Sequence, residues 1–269
     1  MSDLNEIKNW LQERLPALLA EYKVPGAAVA VSAGGQVVDV AAGVLSTATG
    51  VAATVDSVFQ VGSITKVWTT TLLMQLVDED KLDLDAPVRR YIPEFALADE
   101  GAAAAITVGQ LMCHTAGFEG DLFTDTGRGD DCVEKYVLSI ADTTQLFPPG
   151  EMFSYNNAGF CVLGRIVEVL RGKPFDACMR EHLFTPLGLT HAANGADEAI
   201  LFRAAIGHIQ PTPDVDPVPA PVYSLVRSNA PAGAALAMRP RDLLAFAQMH
   251  IDGGKAADGT AVLDRKSVV

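Results

Sequence analysis

Hydrophobic residues recur along the first part of the chain with the periods of a helix and of strands. Leu4–Tyr22 carries leucine and isoleucine at three- and four-residue intervals, which predicts an amphipathic helix. Two short apolar runs follow, Ala27–Val31 and Gln36–Val40, and the Gly34-Gly35 pair between them predicts a hairpin turn. The chain is therefore expected to open with one helix and two antiparallel strands.

The remaining patterning is mainly helical. One pattern begins near Ser63 and stops around Asp80, and apolar positions mark one of its sides. These positions are Val67, Thr70, Leu73, Met74 and Val77. Further helices are predicted at Thr107–His114, Asn157–Arg171, Phe175–Leu183 and Arg241–Ile251. The proline-rich stretch at 211–221 is expected to be irregular or polyproline-like. Strands and helices together predict an α/β protein.

Composition and charge exclude several classes of function. Apolar residues make up 49 % of the 269 residues, enough for one large domain or a core domain with an insertion. The formal net charge of −13 repels phosphate backbones and anionic membranes, so no nucleic-acid or membrane partner is expected. The start at Met1–Glu6 is polar and acidic, unlike an export signal, and the expected location is the cytoplasm. The four cysteines have no zinc spacing and are expected to be free thiols in or near the core.

Candidate chemistry lies in Gly62–Lys66, where Ser63 and Lys66 are three residues apart at the predicted start of a helix. Residues at this spacing share one helix face, so the amine of Lys66 can reach the hydroxyl of Ser63. A serine hydroxyl becomes an effective nucleophile when a neighbouring base removes its proton. The motif is short, however, and an ordinary N-cap serine followed by a solvated lysine has the same spacing.

A second polar motif occurs at Tyr155 and Asn157, just after the Pro148-Pro149-Gly150 turn. A phenol can serve an acyl-transfer site as a second proton carrier. The amide of Asn157 can donate to a substrate carbonyl and accept from Lys66. Taken alone, this segment is more typical of a core tyrosine and an N-cap asparagine than of a catalytic site.

Four stretches of the chain together resemble the sequence motifs of a known family. They are Val24–Val31, Phe59–Lys66, Ile106–Phe118 and Pro149–Phe160. In sequence and order they resemble the S-x-x-K serine hydrolases, the superfamily of class C β-lactamases, penicillin-binding proteins and family VIII carboxylesterases. The resemblance extends over about residues 24–264.

This resemblance implies a fold and a domain organisation. The fold class is α/β (α+β), with an antiparallel sheet flanked by helices and an inserted all-helical region, as in β-lactamases and transpeptidases. The whole chain, residues 1–269, would be a single catalytic domain, with the helical subdomain inserted at about 70–155.

The resemblance also implies roles for particular residues. Ser63 would be acylated, Lys66 would act as its base, Tyr155 would assist as acid and base, and Asn157 would hold the substrate. His114 falls in the family's His-Thr-x-Gly turn, where we expect a structural role. Because these side chains suffice for the chemistry, no metal and no organic cofactor are expected.

One family motif is missing from the sequence. Related proteins carry Lys-Thr-Gly or His-x-Gly on a late strand, whose backbone N–H is the second donor of the oxyanion hole. No such triplet follows Arg241, so we expect the fold to lack its last strands, either because the chain is a truncated form or because another segment or subunit fills that place. Loss of one oxyanion donor can reduce the rate by about 10²–10³-fold.

Several functions are compatible with these features. Because no export signal is visible, a carboxylesterase acting on small esters is expected first, with a small ester or amide as the partner. A β-lactamase or D-amino-acid peptidase-like activity is the alternative, as is a catalytically impaired relative that binds a ligand in the same cleft. Acyl transfer to an alcohol or amine would use the same residues, and the oligomeric state stays open.

Overall fold

The computed structural model describes residues 4–268 of the chain. The α-helices in this range are α1 (Leu4–Glu21), α2 (Thr65–Asp78), α3 (Glu100–Ala105), α4 (Val108–Met112), α5 (Cys132–Ser139), α6 (Asn157–Arg171), α7 (Phe175–Met179), α8 (Ala196–Ala199) and α9 (Pro240–Ile251). The strands are β1 (Gly26–Ala33), β2 (Gln36–Gly43), β3 (Phe59–Gln60), β4 (Ala192–Ala193), β5 (His208–Ile209), β6 (Val218–Pro219) and β7 (Ala237–Met238). All named strand pairs are antiparallel, which confirms the predicted α/β class.

The chain divides into two compact units. The first comprises the part up to Val61 together with Leu189–Ser224 and Leu236–Ile251. The second comprises Gly62–Gly188, Leu225–Ala235 and the part from Asp252 onward. The division of the chain at 70–155, expected from the sequence, stays a prediction.

The first unit is built around the predicted hairpin. β1 and β2 pair from Gly26 opposite Gly43 to Ala33 opposite Gln36. Gly34 and Gly35 have φ angles of +58° and +77°, as a two-residue turn between right-twisted strands requires. The hairpin is thus confirmed: β1 is longer than predicted at both ends, and β2 begins at Gln36 as predicted and extends beyond Val40 to Gly43.

Helix α1 covers the hairpin through a small apolar core. Leu15 and Leu19 pack with Val40 of β2, and Leu11 and Val29 lie against this cluster. Each fully buried aliphatic side chain of this kind contributes about 1.5–3 kcal/mol to folding. The predicted helix over residues 4–22 is therefore present and buries the face that its apolar spacing indicates.

Two smaller sheets complete the first unit. The order β3-β7-β4 forms one, and β5-β6 forms the other. The proline-rich stretch at 211–221, expected to be irregular or polyproline-like, contains the two-residue strand β6, so that expectation is wrong at Val218–Pro219. Within residues 4–268 the hairpin sheet has two strands, β1 and β2.

Helix α2 is central in the second unit, and its buried face differs from the predicted one. Trp68, Leu72 and Leu76 are fully buried, whereas Val67, on the predicted apolar side, is 50 % exposed. The ring of Trp68 packs edge-on against Phe184 at 5.9 Å. The predicted side is thus right at Leu73, which is fully buried, and wrong at Val67. Threonine and lysine also occupy the buried face, so the apolar period does not mark all of it.

Helix α6 lies beside α2 and has the predicted bounds. Asn156 caps its start by accepting a hydrogen bond from the backbone N–H of Gly159 at 2.6 Å, and Gly172 ends it with a φ of +66°. The helix Phe175–Leu183 predicted after it is present as α7, followed by one π-helical turn, Arg180–Phe184. No helix within the described residues is long and apolar enough to cross a membrane.

Candidate active site

Ser63 and Lys66 lie at the start of α2, as the sequence predicts. Ser63 is in the 3₁₀ turn Gly62–Ile64 and is exposed, while Lys66, in the first helical turn, is only 6 % exposed. The Nζ of Lys66 lies 3.2 Å from the Oγ of Ser63. The positive end of the helix dipole lies at this serine and favours negative charge on it.

Three oxygen atoms surround the amine of Lys66. Besides Ser63 Oγ, they are the side-chain Oδ1 of Asn157 at 2.7 Å and the backbone carbonyl oxygen of Ala232 at 2.5 Å. The two carbonyl oxygens can only accept hydrogen bonds, whereas the serine hydroxyl can accept or donate. A protonated lysine can donate to all three, and a neutral one can donate to the carbonyls and accept from Ser63.

Asn157, the first residue of α6, joins Lys66 to a carboxylate that the sequence analysis missed. Its Nδ2 donates to the Oδ1 of Asp121 at 2.8 Å. A carboxylate can only accept, so Asp121 requires the NH₂ side of the amide to face it. The amide oxygen is thereby directed to Lys66. Asp121 falls between the recognised motifs, and no sequence signal distinguishes it from other surface aspartates.

Tyr155 lies against Lys66 through its ring. The Nζ of Lys66 is 4.8 Å from the centre of the Tyr155 ring, within cation–π distance, and the tyrosine is 45 % exposed. On the same ring, His114 stacks at a centroid distance of 4.4 Å. The structure thus brings Tyr155 to the site by ring contacts, and the role of its hydroxyl stays a prediction.

His114 supports the segment that carries Tyr155. Its Nδ1 accepts the backbone N–H of Asn156 at 2.9 Å, and its carbonyl accepts the N–H of Ser154 at 2.8 Å. Burial lowers the pKa of His114 below its ordinary value, and the charge of Lys66 lowers it further. A neutral imidazole with an accepting Nδ1 fits the structural role expected from the sequence.

The segment Arg227–Ala235 supplies the third partner of Lys66, and sequence reasoning missed it. Its Pro231 carbonyl accepts the hydroxyl of Thr69 at 2.8 Å, which anchors the segment to α2. Gly233, with a φ of +121°, passes so close to Gly62 that an added Cβ would lie 2.4 Å from the Gly62 carbonyl oxygen. Glycine is needed here because both its backbone conformation and its small size are required.

A buried polar group lies near Lys66. Cys161 is fully buried and receives a hydrogen bond from the side chain of Asn229 at 3.4 Å. Burial raises the pKa of the Cys161 thiol to about 12, so this cysteine stays protonated and is a poor nucleophile. Among the described residues, no group of His, Cys, Asp and Glu side chains is arranged to hold a metal ion.

The chain matches a family model described as beta-lactamase over residues 11–267. It is 48 % identical over 257 residues to "Penicillin-binding protein 4" of Amycolatopsis lactamdurans, covering 95 % of this chain and 67 % of that protein. It is 30 % identical over 173 residues to "Esterase EstB" of Burkholderia gladioli, covering 59 % of this chain and 44 % of that protein.

A solved structure agrees with these sequence matches. The crystal structure of the beta-lactamase from Sulfitobacter sp. EE-36 superposes with a TM-score of 0.78 at 27 % identity, covering 99 % of this chain and 69 % of that one. The chain thus spans about two thirds of the Amycolatopsis and Sulfitobacter proteins and less than half of the esterase. The chain belongs to the beta-lactamase family, and its fold is that of the serine hydrolases in this family.

Proposed function

We propose that this chain hydrolyses small carboxylic esters through an acyl-enzyme formed on Ser63. The observation that carries the proposal is the exposed Ser63 hydroxyl 3.2 Å from the buried amine of Lys66. A nucleophile and a base within hydrogen-bond distance are the minimum that acyl transfer to a serine needs. One curated relative is named an esterase, which supports the ester as substrate.

In the proposed acylation, Lys66 takes the proton of Ser63. The carbonyl oxygens of Asn157 and Ala232 accept the two N–H groups of the neutral amine, and its lone pair then faces the serine hydroxyl. As the Ser63 Oγ bonds to the acyl carbon, its proton moves to the Lys66 Nζ. The bond to the leaving alkoxide breaks, and the alkoxide takes the proton back from Lys66 and departs as an alcohol, so that Lys66 is neutral again.

Deacylation reverses the proton movements with water in place of the alcohol. A water molecule gives a proton to the neutral Lys66 as its oxygen attacks the acyl carbon. The Ser63 Oγ leaves and regains a proton from Lys66, and the carboxylic acid is released. We propose Tyr155 as a second proton carrier, on the basis of its ring contact with Lys66 and its partial exposure.

The contacts of Tyr155 favour esters over amides as substrates. An amine leaving group must be protonated as its bond breaks, whereas an activated alcohol or phenol can depart as an anion. The described hydrogen bonds of Lys66 include Ser63, Asn157 and Ala232 but not the Tyr155 hydroxyl. A site whose acid is not hydrogen-bonded to its base is therefore better suited to the less demanding ester reaction.

The test is hydrolysis of p-nitrophenyl butyrate by the purified chain and by its Ser63→Ala variant. Ser139→Ala is a matched control, because Ser139 is an exposed serine at the end of α5. We expect turnover in the wild type and in Ser139→Ala, and a loss of about 10³-fold or more in Ser63→Ala. Equal rates in all three proteins would exclude Ser63 as the nucleophile and with it the proposed function.

A further inference from the structure

Asp121 places a carboxylate at the edge of the proposed active site. It is exposed, and its Oδ1 accepts from Asn157, whose own Oδ1 accepts from Lys66. Two hydrogen bonds, of 2.8 and 2.7 Å, therefore separate the carboxylate from the amine that activates Ser63. A negative charge in this position attracts a positively charged group on the part of a substrate that lies beside Asn157.

The backbone around Asp121 is held in place by buried side chains. The carbonyl oxygen of Leu122 accepts from the hydroxyl of Tyr136 at 2.7 Å and from the Nδ2 of Asn229 at 3.0 Å. Tyr136 is fully buried and Asn229 is 1 % exposed. Since the segment is already ordered by these bonds, a ligand of the Asp121 carboxylate does not have to order it.

Asp121 forms no direct ion pair within the part of the chain that the structure describes. No lysine, arginine or histidine of residues 4–268 lies within ion-pair distance of Asp121. By contrast, Asp130 and Asp176 both pair with Arg227, at 3.2 and 2.8 Å. Glu119, whose Oε1 accepts the backbone N–H of Asp121 at 3.0 Å, adds a second negative charge to the same edge.

We propose that Asp121 selects acyl groups that carry a protonated amine. The substrates would be esters of amino acids or of short peptides with a free amino group, and the ammonium would pair with the Asp121 carboxylate while the ester carbonyl is attacked. The net charge of −13 over the chain attracts cations toward the protein generally. This inference rests on the proposed function, because it assigns the part of the substrate that lies next to Asn157.

Asp121 has a positioning effect as well, and the two effects are separable. The carboxylate fixes the amide orientation of Asn157, whereas an asparagine at position 121 could donate to Asn157 and allow the amide to turn. A turned amide would remove an acceptor from Lys66 and slow the reaction of every substrate equally. Recognition of an ammonium, by contrast, changes only the rates of substrates that carry one.

The test compares the benzyl esters of alanine, as separate enantiomers, with those of N-acetylalanine, which lack the ammonium charge. At about pH 6.5 the free α-amino group is mostly protonated. We expect the wild type to prefer at least one free-amine enantiomer over its acetylated form by about fivefold in kcat/KM, as for an exposed ion pair. Asp121→Asn should abolish that preference, whatever its effect on the absolute rates.

Asp80→Asn is the matched control. Asp80 is an exposed aspartate just beyond the far end of α2, about 20 Å along the helix from Ser63, and its φ of +57° is one that asparagine also adopts. The Asp80→Asn variant should keep the wild-type preference for the free-amine ester over its acetylated form.

Two results would overturn the proposal: no preference for either free-amine enantiomer in the wild type, or the same preference in Asp121→Asn as in the wild type. The same preparations and Ser63→Ala are also assayed with p-nitrophenyl butyrate. If the wild type hydrolyses this ester and Ser63→Ala does not, the proposed function holds and only the role of Asp121 has failed.

Discussion

Gly233 offers a sharp test of how the site is assembled. Its φ is +121°, and an added Cβ would lie 2.4 Å from the Gly62 carbonyl oxygen and 3.0 Å from the backbone nitrogen of Ser63. Gly233→Ala therefore has two costs, an unfavourable backbone conformation and a clash that no side-chain rotation relieves. At about 1–3 kcal/mol for each, the free energy of unfolding should fall by about 2–6 kcal/mol.

Gly172→Ala separates the two costs. Gly172 ends α6 with a φ of +66°, but an added Cβ there meets nothing within 4 Å. This variant should lose only the conformational cost, about 1–2 kcal/mol. Urea unfolding followed by circular dichroism gives the stabilities of both variants, and hydrolysis of p-nitrophenyl butyrate in the absence of urea gives their activities.

The two variants should differ in both measurements. Because any shift of Gly233 moves the carbonyl of its neighbour Ala232 away from Lys66, Gly233→Ala should lose most of its hydrolysis while Gly172→Ala keeps it. If Gly233→Ala is no less stable than Gly172→Ala and equally active, the close packing of this segment against the turn at Ser63 does not exist as described.

Three further predictions concern Lys66, His114 and the four cysteines. Lys66→Arg should lower kcat/KM by at least about 10²-fold, because a guanidinium stays protonated and cannot act as a base; wild-type activity in this variant would remove Lys66 from the mechanism. The pKa of His114 is lowered in the folded chain, so the unfolded chain binds more protons and the free energy of unfolding should fall as the pH drops below about 6.5. Urea unfolding at pH 5.5 and 7.5 measures this fall, and His114→Gln should reduce it. The same difference between the two pH values in His114→Gln as in the wild type would contradict this assignment. Of the four free cysteines only Cys113 is exposed, so one thiol should react rapidly with a disulfide reagent in the native chain and the other three only after unfolding; fast reaction of Cys161 would contradict its burial.

The sequence predicts the elements whose signals are local. The hairpin follows from two apolar runs and a glycine pair, and α6 follows from an apolar period, a capping asparagine and a terminal Gly172. The contact between Ser63 and Lys66 follows from helix geometry alone. For each of these, the residues that decide the structure are neighbours in the chain.

The features that sequence reasoning missed depend on contacts between distant segments. Asp121 and the segment that carries Asn229 and Ala232 come from separate parts of the chain, and a backbone carbonyl such as that of Ala232 leaves no mark in the residue sequence. The short helices α3 and α5 have few turns over which a period can be recognised. The buried face of α2 was only partly predicted because it also carries polar residues, among them Lys66 and Thr69, which donate to the carbonyls of Ala232 and Pro231.

The central claim is that Ser63 carries the acyl group during turnover. The most direct measurement is to mix the chain with p-nitrophenyl butyrate, quench in acid within the first turnovers, digest the protein and locate the added butyryl mass by peptide mass spectrometry. The account predicts one butyryl group on Ser63 in the wild type and none on that peptide in Ser63→Ala. A butyryl group on another residue, together with turnover that persists in Ser63→Ala, would contradict it.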